Sequence, residues 1–459
     1  MNLPNILLIH SDQHRADCTS VYGHPLIKTP HLAQLAAGGI YFTHAFCPTP
    51  LCNPSRNSLL HGQWSTEHLC IANKGTEAPR HPDENLPAFS QLLNEAGYDL
   101  AYVGKWHVHS RTPFAYGFHE YIPESGYTSW RAEQGKPPVP RLNGFFGEID
   151  PYIEPQESRL AWSAGHVIRM LKKGAKTGRP FFVRWDPGEP HLPNVLPEPF
   201  FSMYPPQSIP PWLSFPDPLN NKPLIQRQQR RTWKIDSWTW QNWAPVVSRY
   251  LGVISLLDAQ IGKIVATLEE LDLKQNTLII YTCDHGDMCG GHGMIDKHYV
   301  MYDEVVRVPL IMSWAGRIAP GSCCDAFVSH SIDLASTFCD IAGIPPPATF
   351  RGQSLLPLMT GEKRNGRQDI FSMYHGNQFG LYSQRMLRNR RWKYIWNATA
   401  EDELYDLVND PGELNNLAMT PEFRDELAQL RRRMVDWMED INDPLLNLWT
   451  RAQLLEGLK

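Results

Sequence analysis

Residues 51–62 have the sequence LCNPSRNSLLHG, and the organisation of the whole chain can be worked out from this stretch. Proline is favoured in the first turn of a helix and glycine just after its end, so we predict a short helix that begins at Pro54 and closes at Gly62. Cys52 then lies beside unpaired backbone N–H groups at the positive end of the helix dipole, which favour an anion. Arg56 adds a permanently charged fork suited to a tetrahedral oxyanion.

A single buried cysteine beside a helix start is usually a packing residue. Here the stretch resembles the signature of the type I, formylglycine-dependent sulfatase family of the alkaline phosphatase superfamily, Cys-x-Pro-Ser-Arg followed by x-x-x-Leu-x-Gly. All fixed positions are matched, by Cys52, Pro54, Ser55, Arg56, Leu60 and Gly62. The resemblance implies that a formylglycine-generating enzyme transiently binds the chain and oxidises Cys52 to 3-oxoalanine (formylglycine), whose hydrated aldehyde is the family's nucleophile.

Size and composition narrow the classes of protein. A chain of 459 residues is long enough for one large domain and a smaller one, and a net charge of −5 argues against a nucleic-acid binder. The apolar run at residues 6–9 is too short for a signal peptide, and no stretch approaches the ~20 apolar residues of a membrane span. Nine scattered cysteines do not resemble a disulfide framework. We therefore expect a cytoplasmic protein that does not enter a membrane, and its oligomeric state is left open.

Side chains able to bind a metal follow two predicted strands, residues 5–10 and 277–282. These side chains are Asp12 and Gln13 after the first strand, and Asp284 and His285 after the second. Strand-end residues converge at one edge of a doubly wound sheet, although an isolated strand-end Asp is more often a helix cap. By resemblance, the four residues match the family's metal ligands, with Gln13 in place of the Asp that many members have. Three oxygen-bearing side chains and one imidazole favour a divalent metal, Ca²⁺ first and Mn²⁺ second.

Further candidate catalytic residues lie in loops after predicted strands. They are Lys105 and His107 in Gly-Lys-Trp-His, His191 in Pro-His-Leu-Pro, and Lys297. In isolation such residues are usually solvated or packed, but in this order they resemble the family's catalytic elements. The resemblance implies that Arg56, Lys105 and Lys297 offset charge on the transferring sulfate. It further implies that His191 with Lys297 protonates the leaving oxygen, and that His107 helps to release sulfate and regenerate the aldehyde.

The remaining pattern predicts an α/β fold with a large doubly wound mixed sheet flanked by helices and a smaller C-terminal antiparallel-sheet domain. Helical patterns cover residues 29–39, 86–96, 157–173, 244–271, 331–343 and 421–441. Further strand patterns cover residues 100–103, 180–185, 307–312, 370–374, 380–387 and 392–396. We place an alkaline-phosphatase-like catalytic domain at residues 1–366 and the C-terminal domain, a small sheet with a helix, at residues 367–459.

Two segments fit no regular pattern. Residues 111–155, rich in Gly, Pro and aromatic residues, predict a long irregular insertion. Residues 204–243 contain five Trp and many Pro, which suits either a cap packed by its aromatic rings or an aromatic wall for a sugar. We expect this second segment and His375, Asn377 and Gln378 to select the substrate, because every substrate presents the same sulfate to the catalytic groups. The alternative for residues 375–378 is a solvated turn.

Three functions compete. The first is hydrolysis of a sulfate ester, of a sulfated carbohydrate or a small alcohol. The second is hydrolysis of a phosphonate monoester or phosphodiester on the same scaffold, an alternative raised by Gln13. The third is non-catalytic binding of sulfated glycans, which is disfavoured because every catalytic position of the family is filled by a workable residue. We predict a sulfatase, a sulfuric ester hydrolase, that binds neither nucleic acid nor membrane.

Overall fold

The structure is a computed structural model that describes residues 3–73, 85–108, 111–363, 366–376 and 378–457. In these ranges the strands are β1 (Asn5–Ser11), β2 (Ile40–Phe42), β3 (Ala45–Phe46), β4 (Asp99–Gly104), β5 (Glu120–Pro123), β6 (Glu148–Ile149), β7 (Phe181–Asp186), β8 (Val195–Leu196), β9 (Thr277–Cys283), β10 (Leu310–Ser313), β11 (Ser322–Cys324), β12 (Val328–Ser329), β13 (Ile370–His375), β14 (Ser383–Arg388), β15 (Trp392–Asn397) and β16 (Glu403–Asp406). The α-helices of the same ranges are α1 (Pro30–Ala37), α2 (Cys52–His61), α3 (Phe89–Glu95), α4 (Gly126–Glu133), α5 (Arg159–Thr177), α6 (Leu224–Thr232), α7 (Trp240–Glu270), α8 (Asp303–Val306), α9 (His330–Ile341), α10 (Leu356–Met359), α11 (Arg424–Asp440) and α12 (Leu448–Glu456).

A mixed sheet forms the centre of the molecule. Among the described residues it has eight strands in the order β11-β2-β10-β9-β1-β7-β4-β5. The run from β9 to β5 is parallel throughout, whereas β10 is antiparallel to both β9 and β2. Strand β1 pairs with β9 from Asn5 opposite Thr277 to Ser11 opposite Cys283. The residues that follow these two strands therefore emerge side by side, as in other open α/β sheets.

Both faces of the sheet are covered by helices. Successive residues of β1 point to opposite faces, so Ile6 and Leu8 pack in one core with α2, α3 and α9. Leu7 and Ile9 pack in the other core with α1, α5 and α7. All four side chains are fully buried, which explains why β1 is an uninterrupted apolar run. The predicted doubly wound sheet flanked by helices is confirmed.

The C-terminal part of the chain forms a separate antiparallel sheet in the order β13-β14-β15-β16. Helix α11 covers this sheet by packing Leu430 and Met434 against residues such as Trp396 and Leu404, all four fully buried. The predicted smaller antiparallel sheet is confirmed, with β16 as a strand beyond the three expected. The proposed domain boundary at residues 366–367 stays a prediction.

Some local predictions differ from the structure. Residues 111–155 are not irregular throughout, because β5 extends the main sheet beside β4 and is followed by α4. Helix α6 lies within residues 204–243, where no helix was expected. Its buried residues are Gln226 and Gln229, whose side chains hydrogen-bond to Glu403 and to the Ile295 carbonyl, so apolar periodicity is missing.

Helix α7 is 31 residues long and, in the described part of the chain, is the single helix long and apolar enough to cross a membrane by length and composition. This differs from the expectation that no stretch would meet that test. In the structure 72% of the apolar window is buried inside the protein, where α7 packs on α1, α5 and β8. Such burial is typical of a core helix.

Candidate active site

Cys52 is the first residue of α2, preceded by Leu51 in an extended conformation. The helix thus begins two residues before the predicted start, and Pro54 fits in its first turn, where backbone N–H groups lack helical partners. The helix closes at Gly62 with φ 62°, and a Cβ at this position would lie 2.5 Å from the Phe350 ring. Every side chain of α2 is buried, so packing on all sides holds the helix in place.

The predicted nucleophile and predicted metal ligands come together. The ligand atoms of Asp12, Cys52, Asp284 and His285 all lie within 4.8 Å of one another, and all four residues are buried. Cys52 Sγ is 3.2 Å from His285 Nε2 and 3.9 Å from Asp12 Oδ1. His285 Nδ1 donates to the Gly286 carbonyl at 2.8 Å, so Nε2 faces the site. Two carboxylates and an imidazole in a buried group form a donor set that fits a divalent cation.

Gln13, the fourth predicted ligand, adopts the left-handed conformation with φ 65°. Its Oε1 accepts a hydrogen bond from Lys297 Nζ at 2.6 Å, and its Nε2 donates to Asp296 Oδ1 at 3.0 Å and to Asp287. The Gln13 side chain, next in sequence to the predicted ligand Asp12, is therefore hydrogen-bonded to the candidate catalytic residue Lys297. Its role as a metal ligand stays a prediction.

Arg56 binds three buried carboxylates. Its Nη2 is 2.9 Å from Asp12 Oδ2 and its Nη1 is 2.6 Å from Asp186 Oδ2. Its Nε donates to Asp284 Oδ2 at 3.0 Å. All four side chains are 0% exposed, so Arg56 positions the two predicted metal-binding aspartates. Contact of Arg56 with a sulfate stays a prediction.

Asp186 was not among the candidate residues from the sequence. It is the last residue of β7 and accepts hydrogen bonds from His10 Nδ1 at 3.1 Å and Arg184 Nη2 at 2.7 Å, in addition to Arg56. Its position at a strand end, like that of Asp12, was a usable signal. Asp186 orients Arg56 through Nη1, whereas Nη2 and Nε of Arg56 bind Asp12 and Asp284.

The two candidate catalytic lysines point into the same region. Lys105 Nζ lies 2.5 Å from Asp12 Oδ2, and Lys297 Nζ lies 2.9 Å from His191 Nε2. Burial by itself would lower the pKa of both amines, but the Asp12 carboxylate raises the pKa of Lys105 and Asp296 raises that of Lys297. Both side chains therefore stay protonated and can bind an anion.

The pKa of the Cys52 thiol is set by the cations around it. Burial would raise the pKa of Cys52, but Lys105, Lys297 and His285 outweigh it and hold this pKa well below its usual range. A hydrogen bond with His107 lowers it further. His107 has φ 39°, and its buried Nδ1 has no hydrogen-bond partner among the described residues. The arrangement is built to stabilise negative charge at this position.

Comparison with known proteins identifies the family. Residues 4–344 match the family model described as sulfatase, and residues 290–440 match that of the C-terminal part of N-sulphoglucosamine sulphohydrolase. The chain belongs to the sulfatase family. It is similar to the uncharacterized sulfatase YidJ of Escherichia coli K12, with 27% identity over 458 residues covering 97% of this chain and 89% of the relative. It is also similar to an N-acetylglucosamine-6-O-sulfatase of Bacteroides thetaiotaomicron, with 28% identity over 521 residues covering 96% and 88%.

Solved structures agree on the fold. The phosphonate monoester hydrolase of Agrobacterium radiobacter superposes with a TM-score of 0.84 at 25% identity, covering 95% of this chain and 96% of that one. A protein solved with its substrate D-glucosamine-2-N,6-O-disulfate superposes with a TM-score of 0.79 at 22% identity, covering 97% and 99%. The sulfatase fold and membership are thus confirmed, and this sulfatase is a sulfuric ester hydrolase.

The residues predicted to select the substrate lie elsewhere. His375 is 6% exposed, shares a 3.0 Å hydrogen bond with Ser383 Oγ, and has its pKa lowered by burial to about 3. Gln378 is exposed, and Asn377 lies outside the described residues. Within residues 204–243, Trp243 is fully buried and its ring packs 4.9 Å from that of Trp238, as in a packed cap. A role for these residues in substrate selection stays a prediction.

A cavity of about 400 Å³ opens on Lys105 and His191 of this sulfatase. Its other walls come from residues 124–160, residues 188–195 and helix α7. Within the part of the chain that the structure describes, no residue of 204–243 and none of 375–378 lines it. Another cavity, of about 470 Å³ beside Trp212, contains none of the candidate catalytic residues. Of these two cavities, the first is therefore the one that adjoins candidate catalytic residues.

Proposed function

We propose that this sulfatase hydrolyses the sulfate ester of a carbohydrate, or of a small alcohol, with a formylglycine made from Cys52 and one divalent metal. The proposal is supported chiefly by one observation. The Cys52 side chain lies at a buried helix start within 4.8 Å of the ligand atoms of two carboxylates and an imidazole. The same group is flanked by Lys105, 2.5 Å from Asp12, and by Lys297.

The metal would be held by Asp12, Asp284 and His285, with Gln13 as the proposed fourth side chain; Ca²⁺ is favoured and Mn²⁺ is second. When bound, the metal would supply a Lewis acid beside the nucleophile. Oxidation of Cys52 supplies a hydrated aldehyde, which has a second hydroxyl that an ordinary serine or cysteine lacks. Arg56 keeps two of the ligands in place through its contacts with Asp12 and Asp284.

The chain's own residues bind the anion and move protons. Lys105 and Lys297 are protonated and bind sulfate oxygens, which offsets charge in the transition state. His191 Nδ1 donates to the Leu192 carbonyl at 2.7 Å, so its Nε2 faces Lys297, and when this nitrogen is also protonated it can give its proton to the leaving oxygen. His107, beside Cys52, is placed to take a proton from the nucleophile when sulfate departs.

The names of relatives support a sugar as the leaving group. Curated relatives of similar length include an N-acetylglucosamine-6-O-sulfatase and a Delta 4,5-hexuronate-2-O-sulfatase of Bacteroides thetaiotaomicron. The cavity beside His191 is lined by both charged and apolar side chains, and its size is at the lower end of small-molecule sites. We therefore propose a sulfated monosaccharide in preference to a long polysaccharide chain.

The test is turnover of 4-nitrophenyl sulfate and of N-acetylglucosamine 6-sulfate by protein produced with a formylglycine-generating enzyme. Peptide mass spectrometry should show sulfur lost and oxygen gained at Cys52. We expect the wild-type protein to release sulfate and the Cys52→Ala variant to release none. Sulfate release by the Cys52→Ala variant would refute the proposed nucleophile.

A phosphonate monoester hydrolase is the second candidate. It was raised in the sequence by Gln13, and it is favoured by the TM-score of 0.84 at 25% identity with the enzyme of Agrobacterium radiobacter. A phosphonate monoester carries one negative charge, as a sulfate ester does, so the same cations can bind it. Turnover of 4-nitrophenyl phenylphosphonate measured beside 4-nitrophenyl sulfate decides between the two candidate functions. A higher kcat/KM for the phosphonate would make the phosphonate monoester hydrolase the first candidate.

A further inference from the structure

An ion-paired triad lies on the wall of the cavity that opens on Lys105 and His191. Arg159 Nη1 is 2.8 Å from Glu124 Oε1, and Arg159 Nε is 2.8 Å from Glu189 Oε1. All three residues line the cavity. Their side chains are 36%, 24% and 12% exposed for Arg159, Glu124 and Glu189, so they are partly withdrawn from water but still reachable from the cavity.

The triad joins three chain segments around the proposed leaving-group position. Glu124 follows β5 directly, Arg159 is the first residue of α5, and Glu189 lies two residues before His191. The main chain of Glu189 also accepts a hydrogen bond from the Asp12 N–H at 3.2 Å. The triad is therefore held at a fixed place next to the group proposed to protonate the leaving oxygen.

Gly188 allows Glu124 to come this close. A Cβ on Gly188 would lie 2.1 Å from Glu124 Oε1, well inside van der Waals contact. Any side chain at residue 188 would have to push the carboxylate of Glu124 away from the loop that carries His191. The close approach of a carboxylate to this loop is thus built into the backbone.

The chemistry of the triad suits hydroxyl groups. Sulfate oxygens engage Lys105 and Lys297 in the proposed function, so the alcohol is the part of the substrate that extends into the cavity. Each carboxylate uses Oε1 to bind Arg159, and carboxylate and guanidinium together offer acceptors and donors in a fixed arrangement. A sugar hydroxyl can both donate and accept, whereas an apolar ring would leave these groups desolvated and without partners.

We propose that Glu124, Arg159 and Glu189 recognise the ring hydroxyls of a monosaccharide leaving group and so select sugar sulfates over sulfates of apolar alcohols. This inference rests on the proposed sulfatase function and names the substrate class of that site. It also places specificity in these three residues, instead of the aromatic segment expected from the sequence.

The test compares two primary alkyl sulfates that differ in hydroxyl groups, glucose 6-sulfate and cyclohexylmethyl sulfate. Their leaving oxygens and ring sizes are similar, so the ratio of the two kcat/KM values reports recognition of the hydroxyls. We expect Glu124→Ala to lower this ratio about 10- to 100-fold, the cost of leaving polar partners unpaired, and Glu124→Gln to lower it less. Glu120→Gln is the matched control, because Glu120 lies on β5, the strand that Glu124 follows, but pairs with Lys173 at 2.9 Å outside the cavity.

Two outcomes would overturn the inference. An equal loss for both sulfates would mean that the triad only positions the His191 loop, and an unchanged ratio would mean that it does not contact the alcohol. If the wild-type protein turns over neither sulfate, the proposed function fails, but the inference about the triad can still be tested by binding. The inference is then tested by calorimetric binding of glucose 6-sulfate to Cys52→Ala with and without Glu124→Ala. A loss of affinity of about tenfold or more supports it, and equal affinities overturn it.

Discussion

Arg56→Met removes a buried cation that binds Asp12, Asp186 and Asp284, all fully buried. Methionine fills a similar length without charge, so the change is mainly electrostatic. Each carboxylate keeps other partners: Lys105 beside Asp12, Arg184 and His10 beside Asp186, and two backbone N–H groups on Asp284. We therefore expect the free energy of unfolding to fall by about 3–5 kcal/mol, the cost of breaking one buried ion pair, and not by three times that amount.

This loss is a large share of the 5–15 kcal/mol that stabilises a typical domain, so the variant should fold but unfold at clearly lower urea concentration. Metal affinity should fall, because the two carboxylates Asp12 and Asp284 lose the group that orients them. A bound divalent cation stabilises the folded protein by mass action, so the wild-type protein gains more stability from calcium than the variant does. The destabilisation should therefore be larger in millimolar CaCl₂ than in chelator.

The measurements are urea unfolding followed by circular dichroism, with and without calcium, and metal content by mass spectrometry. Arg184→Met is the matched control, because Arg184 is equally buried but bonds to Asp186 alone among these carboxylates. It should cost some stability and leave metal binding intact. If Arg56→Met unfolds at the wild-type urea concentration and keeps its metal, the argument that Arg56 organises the ligand group is wrong.

Three further predictions follow from the same contacts. Cys52→Ala should keep the wild-type unfolding curve but release no sulfate, and an active variant would contradict the assignment of the nucleophile. Asp12→Ala and Asp284→Ala should each lose bound metal and turnover, because each removes a charged oxygen ligand; full metal content in either would count against the site. The pKa of His375 is lowered to about 3, so wild-type stability should fall as the pH drops below 6.5. Between pH 6.5 and 5 the wild-type protein should lose about 2 kcal/mol of its free energy of unfolding relative to the His375→Asn variant. Parallel pH profiles of unfolding for the two proteins would refute this.

Secondary structure was predicted best for elements whose residue pattern alone indicates their conformation and burial. Strand β1 is a continuous apolar run because it is buried on both faces, and it was predicted nearly to its ends. Strand β5 was missed because it is a four-residue edge strand with every side chain only partly buried. Helix α6 was missed because it buries glutamines that are satisfied by distant partners. Apolar periodicity does not record such tertiary hydrogen bonds.

The residues of the candidate site also fall into two groups, those that the sequence identifies and those that only the structure reveals. Cys52 and the residues predicted to surround it were found because a contiguous signature and strand ends identify them. Glu124 and Arg159 are 35 positions apart in a polar region and look like ordinary solvated charges in the sequence. Only the tertiary structure pairs them, at 2.8 Å, on the wall beside His191. Residues that choose the leaving group are thus harder to predict than residues that bind what all substrates share.

Gln13 shows how neighbours explain a departure from a family pattern. Many members of the family have Asp at this position, but here the side-chain amide donates to both Asp287 and Asp296. Burial already raises the pKa of Asp287, and the charge of Asp296 raises it further. A carboxylate at residue 13 would bring a third negative charge against this pair, whereas an amide supplies two donors and still presents Oε1 to Lys297. The identity of Gln13 is therefore accounted for inside the chain, and by itself it does not favour phosphonate esters over sulfate esters.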